Sequence, residues 1–187
     1  MKSFLFLFIL FVGISSIEAQ DKYYTKTGKI SINATVNKSL ENIEAFNKTV
    51  VCIIDTKTGE IQFSVLMKGF EFERALMMEH FNENYVESEK FPKSVFKGAI
   101  SNHASITYTK EGVYQAKVKG KMTLHGESKD IEAEGKILNK NGKLTITTMF
   151  NLTLADYKIM VPKLVAHKVA TNAKITVDCI LDPLLNK

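Results

Sequence analysis

Four histidines, His80, His103, His125 and His167, and two cysteines, Cys52 and Cys179, are the side chains of this chain best suited to metal binding or nucleophilic chemistry. None of the histidines stands three or four residues from another, and none has an acidic partner at zinc-site spacing. A serine nucleophile would call for a Gly-x-Ser-x-Gly elbow, whereas Gly126-Glu127-Ser128 reads only as a hairpin turn after His125. The cysteines lie too far apart for a Cys-x-x-C redox pair. They either form one disulfide or pack as two separate buried thiols, and the sequence leaves both readings open. Acidic residues fall mostly at polar positions of the pattern, where solvated surface is the default. No catalytic, metal or cofactor constellation emerges, and the expectation is a protein that binds rather than an enzyme.

The elements that would position such a site are strands. Ile30, Ile32, Ala34 and Val36 share one phase while Lys29, Ser31, Asn33 and Thr35 occupy the other, the period-2 pattern of a half-buried strand. The alternation recurs through Val50-Cys52-Ile54, Ile61 to Met67, Phe96 to Ile100, Tyr114 to Leu124, Ile131 to Ile137, Leu144 to Leu154 and Ile175 to Leu181. Turn residues at Asp55 to Gly59, Lys110 to Gly112 and Asn139 to Gly142 join these runs as hairpins. About eight strands with one apolar face and little helix to cover it are expected to close into an antiparallel barrel. A two-layer sandwich with a solid core is the runner-up.

Two segments break the pattern. Arg74, Met77, Phe81 and Tyr85 recur at helical spacing and predict a short amphipathic helix from Arg74 to Asn84. Pro162 at a first turn predicts a short helix or coil over Lys163 to Ala170. Near Lys68-Gly69 the phase flips, placing Phe70 and Phe72 where polar residues should continue, which predicts a bulge.

Residues 1–19 read as a secretory leader: Lys2, an apolar stretch from Phe4 to Val12, and Ile17-Glu18-Ala19 before Gln20. The apolar stretch is shorter than the roughly 20 residues that span a bilayer. One exported domain over residues 20–187 is therefore expected. The net charge of +5 is spread along the chain without a basic and aromatic block, so nucleic acid is not an expected partner. The densest basic cluster, Lys117, Lys119 and Lys121, lines the outer face of one strand and reads as a solvated face or as a weak, transient contact with anionic headgroups at a membrane surface.

One block resists explanation as ordinary surface: Leu76-Met77-Met78-Glu79-His80-Phe81-Asn82, then Tyr85, Glu87-Ser88, Phe91-Pro92 and Phe96-Lys97-Gly98. It resembles the signature of the YceI-like family of exported proteins. Met122-Thr123-Leu124-His125-Gly126 with Lys129 resembles that family's Leu-Thr-hydrophobic-His-Gly turn, and Phe150 with Asp156-Tyr157-Lys158-Ile159 and Pro162 resembles its closing motif. Glu127-Ser128 and Lys158 depart from the usual residues. The resemblance implies an all-β, eight-stranded antiparallel lipocalin-like barrel with one or two short helices, holding a polyisoprenoid lipid or an isoprenoid quinone in a periplasmic or secreted setting, for transport or storage.

The inward phase nominates Phe63, Val65, Met67, Val118, Met122, Ile146, Phe150 and Val177 as the lining of such a barrel, with Phe70 and Phe72 added beyond the bulge. The predicted helix would cap the mouth, with Arg74, His80 or Asn82 near a polar headgroup or serving only as a plug. The competing expectation is a structural or stress-related interaction protein with a packed barrel and no lipid cargo, presenting the Tyr85 to Phe91 loop to a partner.

Overall fold

Antiparallel hydrogen bonding organises the alternating runs in the computed structural model of this chain, which describes residues 21–36 and 42–184. The leader-like residues 1–19 lie outside the described residues. Eight long strands form the wall: β1 (Lys22–Thr35), β2 (Glu44–Asp55), β3 (Glu60–Leu66), β5 (Lys93–Ile100), β6 (Gly112–Leu124), β7 (Glu127–Lys140), β8 (Lys143–Thr153) and β9 (Val169–Pro183). Their order is β1-β9-β8-β7-β6-β5-β3-β2, and β1 pairs back onto β2 to close the barrel rather than leave two stacked layers.

The phase flip has a larger cause than a bulge. A single 3-10 turn, Met67–Gly69, ends β3, and the two-residue strand β4 (Glu71–Phe72) resumes pairing with Ala45 and Phe46 of β2. Fully buried Asn47 fills the break, donating its amide to the Leu66 carbonyl at 2.9 Å. A Cβ at Gly69 would stand 2.8 Å from that amide nitrogen, so glycine there admits the side chain that satisfies the broken ladder.

The helix predicted from Arg74 is α1 (Ala75–His80), which widens into a π-turn over Phe81–Tyr85. The segment predicted as short helix or coil after Pro162 holds one 3-10 turn, Lys163–Val165. The sheet captures the rest of that segment, since the Val36 N–H donates to the Lys168 carbonyl and Val169 already pairs with Thr35. The first strand also starts earlier than the alternation suggests. An irregularity between Thr25 and Gly28 shifts its phase, so that Tyr23 and Thr25 are buried on one side of it and Gly28 on the other.

The two ends of the barrel differ. At the lower end Ile54, Ile100, Ile137, Leu144 and Leu181 are each less than 2 % exposed. The loop between β5 and β6 folds Ile106 and Tyr108 into that end, and Asn139 donates its amide to the Tyr108 carbonyl. In the upper part Phe63, Phe96, Val118, Met122 and Phe150 point inward yet are only half-buried, because they border empty space.

Candidate functional site

That space is an apolar cavity of about 490 Å³, inside the roughly 300–1,000 Å³ range of small-molecule sites. Its floor is Ile61, Ile100 and Ile137, where the solid lower end begins. Across β5 and β6, Gly98 and Gly120 face each other, and the tip of the Phe96 ring lies 2.6 and 2.7 Å from where their Cβ atoms would be. The two glycines let an aromatic ring lie flat on the sheet, which widens the interior at that level.

The segment after β4 roofs the cavity. Phe81 of the π-turn packs at 5.5 Å from Phe70 and 5.1 Å from Phe72, and Met77, Tyr85 and Val86 join the lining. The roof is fastened by a polar cluster at the upper end. His125, in the turn between β6 and β7, places Nε2 2.7 Å from Glu87 Oε2 and Nδ1 2.9 Å from the Tyr157 carbonyl, while Phe91 packs its ring edge-on at 4.8 Å. Lys158 reaches Glu127 at 2.6 Å, and this contact holds the Glu127 carboxyl below its ordinary value. Glu87, His125 and Lys158 all adopt left-handed backbone, at φ of 45°, 51° and 55°. Three tight turns thus converge on one imidazole.

All ten nominated lining residues, Phe63, Val65, Met67, Phe70, Phe72, Val118, Met122, Ile146, Phe150 and Val177, border this cavity. Arg74 and His80 stand at its rim together with Lys168. Asn82 does not: its amide turns back onto the Met78 carbonyl at 2.8 Å, and it borders a shallow outer depression with Lys68 and Glu87. Asn82 directly follows inward-facing Phe81, and one residue further on the side chain turns about 100° round the helix and so off the cavity face. Ile131 and Ala133 of β7, which the alternation also places in the inward phase, line the cavity without having been nominated.

Two features that the sequence left with alternatives have defined surroundings in the structure. The lysine stripe on β6 is matched rung by rung on β7, Lys117 with Glu134 at 3.9 Å, Lys119 with Glu132 at 2.8 Å and Lys121 with Asp130 at 3.0 Å, so it offers no net positive face. Cys52 and Cys179 are free buried thiols rather than a disulfide. Strand β1 lies between their strands, and a Cβ on its Gly28 would stand 2.5 Å from the Cys179 sulfur. Burial pushes both thiols up, Cys179 to about 12, and the proximity of Cys179 raises Cys52 further. Among the described residues no three His, Cys, Asp or Glu side chains converge as metal ligands.

Residues 16–181 match the model of the YceI-like domain. Similar solved structures include a polyisoprenoid binding domain from Saccharophagus degradans, 10% identical over 89% of this chain and 100% of that one, with a TM-score of 0.73. Another is Burkholderia cenocepacia BcnA, 14% identical over 82% of this chain and 95% of that one, with a TM-score of 0.66. A third is a Campylobacter jejuni YCEI protein, 14% identical over 78% and 88%, with a TM-score of 0.54. At such identities the likeness is one of fold. No curated protein matches the chain in sequence.

Proposed function

The chain belongs to the YceI-like domain family, and on that premise we propose that it is a non-catalytic carrier holding a polyisoprenoid lipid or an isoprenoid quinone inside the barrel. The observation that carries this reading is the cavity: some 490 Å³ of space walled by aliphatic and aromatic side chains above a solid floor. A packed barrel serving only as a scaffold would not leave its inward phenylalanines half-buried. The polyisoprenoid binding domain among the similar structures points to the same ligand class.

The physics of the cargo suits the sleeve. Each buried CH₂ of an isoprenoid gains about 0.8 kcal/mol on leaving water, so an aqueous compartment can be crossed only inside an apolar enclosure. A polar headgroup would rest at the rim near Arg74, His80 and Lys168, where the lining ceases to be apolar. The leader-like residues 1–19 support export and hence a periplasmic or secreted location. Handover of cargo brings the rim to a bilayer surface, and Met160 and Leu164 project from the strap after β8, at 71 % and 85 % exposure, beside Lys163 and Lys168. This strap, not the lysine stripe of β6, is the membrane-facing element of the proposal.

Native mass spectrometry of protein purified without detergent, followed by organic extraction, tests the reading. A stoichiometric isoprenoid or quinone is the expected result. A clean unliganded mass, together with failure to take up added prenol, would leave a scaffold protein as the better account.

A further inference from the structure

The wall of the barrel is incomplete at one place. Strands β7 and β8 are hydrogen-bonded from the Lys140↔Lys143 hairpin up to Gly135↔Thr148, and there their ladder stops. Both strands continue: β7 pairs on with β6 to Glu127, and β8 pairs on with β9 to Thr153. Above the last rung each therefore turns an unpaired edge toward the other, over roughly 20 Å at ~3.3 Å per residue.

The opening has a built frame. At its lower edge the Thr148 hydroxyl donates to the Glu134 carbonyl at 2.7 Å, capping the acceptor released where the ladder ends. At its upper edge the turn after β8 is tied back to the end of β7 by Lys158 with Glu127, and to the preceding turn by His125 on the Tyr157 carbonyl. Its sides are apolar, Ile131 and Ala133 on β7 and Phe150 and Leu152 on β8, and all four line the cavity. The lining also includes Gly135, Lys136, Thr147 and Thr148 of the two topmost rungs, so the cavity extends to the lower edge of this gap.

The volume gives the gap a use. The cavity of about 490 Å³ is bounded by the roof above and the solid floor below, so it takes in a finite length of chain. An isoprenoid that outgrows this space must leave it through the mouth or through an opening in the wall. We propose that the gap between β7 and β8 is a lateral portal through which the distal end of a long isoprenoid chain leaves the barrel, so that the protein accepts chains longer than its cavity while the headgroup stays at the rim. This rests on the lipid-carrier reading and adds to it a chain-length range and a second opening.

A photoreactive benzophenone amino acid at position 149, on the outward phase of β8 beside the gap, reports on the portal, and the same residue at position 164 reports on the mouth. Each variant is loaded with farnesol, of three isoprene units, or solanesol, of nine, and retention is read by native mass before irradiation. Expected is retention of both prenols, with solanesol but not farnesol cross-linked at position 149. Retention of solanesol with labelling only at position 164, or equal labelling of both prenols at 149, overturns the portal and leaves the carrier reading intact. Retention of neither prenol overturns the carrier reading and the portal with it.

Discussion

His125 Nε2 lies 2.7 Å from Glu87 Oε2 while Nδ1 of the same ring faces the Tyr157 carbonyl at 2.9 Å. A carbonyl can only accept, so Nδ1 carries a proton, and a second proton must lie between Nε2 and the Glu87 carboxylate. The imidazole is thus the joint between the roof loop, the β6–β7 turn and the turn after β8. His125→Ala removes both bonds and the edge contact with Phe91 and is expected to cost about 1–3 kcal/mol. Glu87→Gln can still donate an amide hydrogen to a neutral Nε2 and should cost well under that. Urea unfolding of both variants checks this, and equal losses would contradict the shared proton.

The carrier reading predicts that filling the cavity abolishes loading without unfolding the barrel. Ala133 is a small inward residue of β7 at the cavity wall beside the gap. Ala133→Trp should lower prenol uptake about tenfold or more, the equivalent of losing roughly 1.4 kcal/mol of apolar contact. Its circular dichroism and melting temperature should stay near wild type, because the new ring enters existing space. Unchanged uptake would place the cargo elsewhere.

Gly98 and Gly120 make the opposite prediction. A Cβ at Gly98 would stand 2.4 Å from the Lys119 carbonyl and 2.6 Å from the Phe96 ring, and one at Gly120 stands 2.4 Å from the Lys97 carbonyl. Gly98→Val must push apart the β5–β6 ladder as well as the ring, at a cost of about 1–3 kcal/mol. A fall in melting temperature of several degrees is expected at roughly 2–4 °C per kcal/mol. Phe96→Ala together with Gly98→Val should recover part of it, since the ring contact is then relieved.

The alternation exposed the barrel because an inward and an outward side chain differ in the sequence itself. The same contrast nominates Phe63, Val65, Met67, Val118, Met122, Ile146, Phe150 and Val177, which border the cavity, whereas Phe70 and Phe72 are nominated at the break in the pattern after β3. The alternation missed the start of β1 because the irregularity between Thr25 and Gly28 exchanges the two phases, and Asn82, nominated for its headgroup chemistry rather than its spacing, stands one residue round the helix from inward-facing Phe81. The neutral character of the lysine stripe required the register, Lys119 opposite Glu132, before the partners could be seen. The gap between β7 and β8 leaves no trace in the pattern, since both strands keep alternating after their ladder stops. Periodicity reports which face a residue occupies, whereas the portal depends on which neighbour a strand has.

The thiols give a pH dependence of defined sign. Burial raises Cys179 from an ordinary 9 to about 12, and Cys52 moves in the same direction through burial and the nearness of Cys179. The unfolded chain loses these protons at lower pH than the folded one. The contribution to stability is therefore complete below about pH 9 and is lost as pH rises toward about 12. Buried Tyr108, raised to about 12 by desolvation, acts with the same sign over the upper part of that window. Urea midpoints at pH 8 and pH 10.5 should show wild type falling more steeply than Cys52→Ala/Cys179→Ala. Native protein should resist iodoacetamide at pH 8 and take up two equivalents once unfolded.

Delivery to a bilayer is the last requirement of a carrier, and it assigns work to the strap between β8 and β9. From Lys158 to Lys168 the strap holds three lysines and His167 but no acid, and Lys158 is engaged by Glu127. Lys163 and His167 give the strap a basic character next to the two exposed apolar side chains. Two exposed apolar side chains in a basic setting match the chemistry of an anionic lipid surface, with about 1 kcal/mol from each lysine near it and more from each apolar side chain that enters the headgroup layer. Met160→Asp with Leu164→Asp should reduce co-sedimentation with phosphatidylglycerol-containing vesicles about tenfold or more. It should slow transfer of bound prenol to those vesicles while leaving prenol affinity in solution unchanged, because neither side chain lines the cavity. Raising the salt concentration should weaken wild-type binding, and salt-insensitive binding that survives the double substitution would show that the strap does not make the contact.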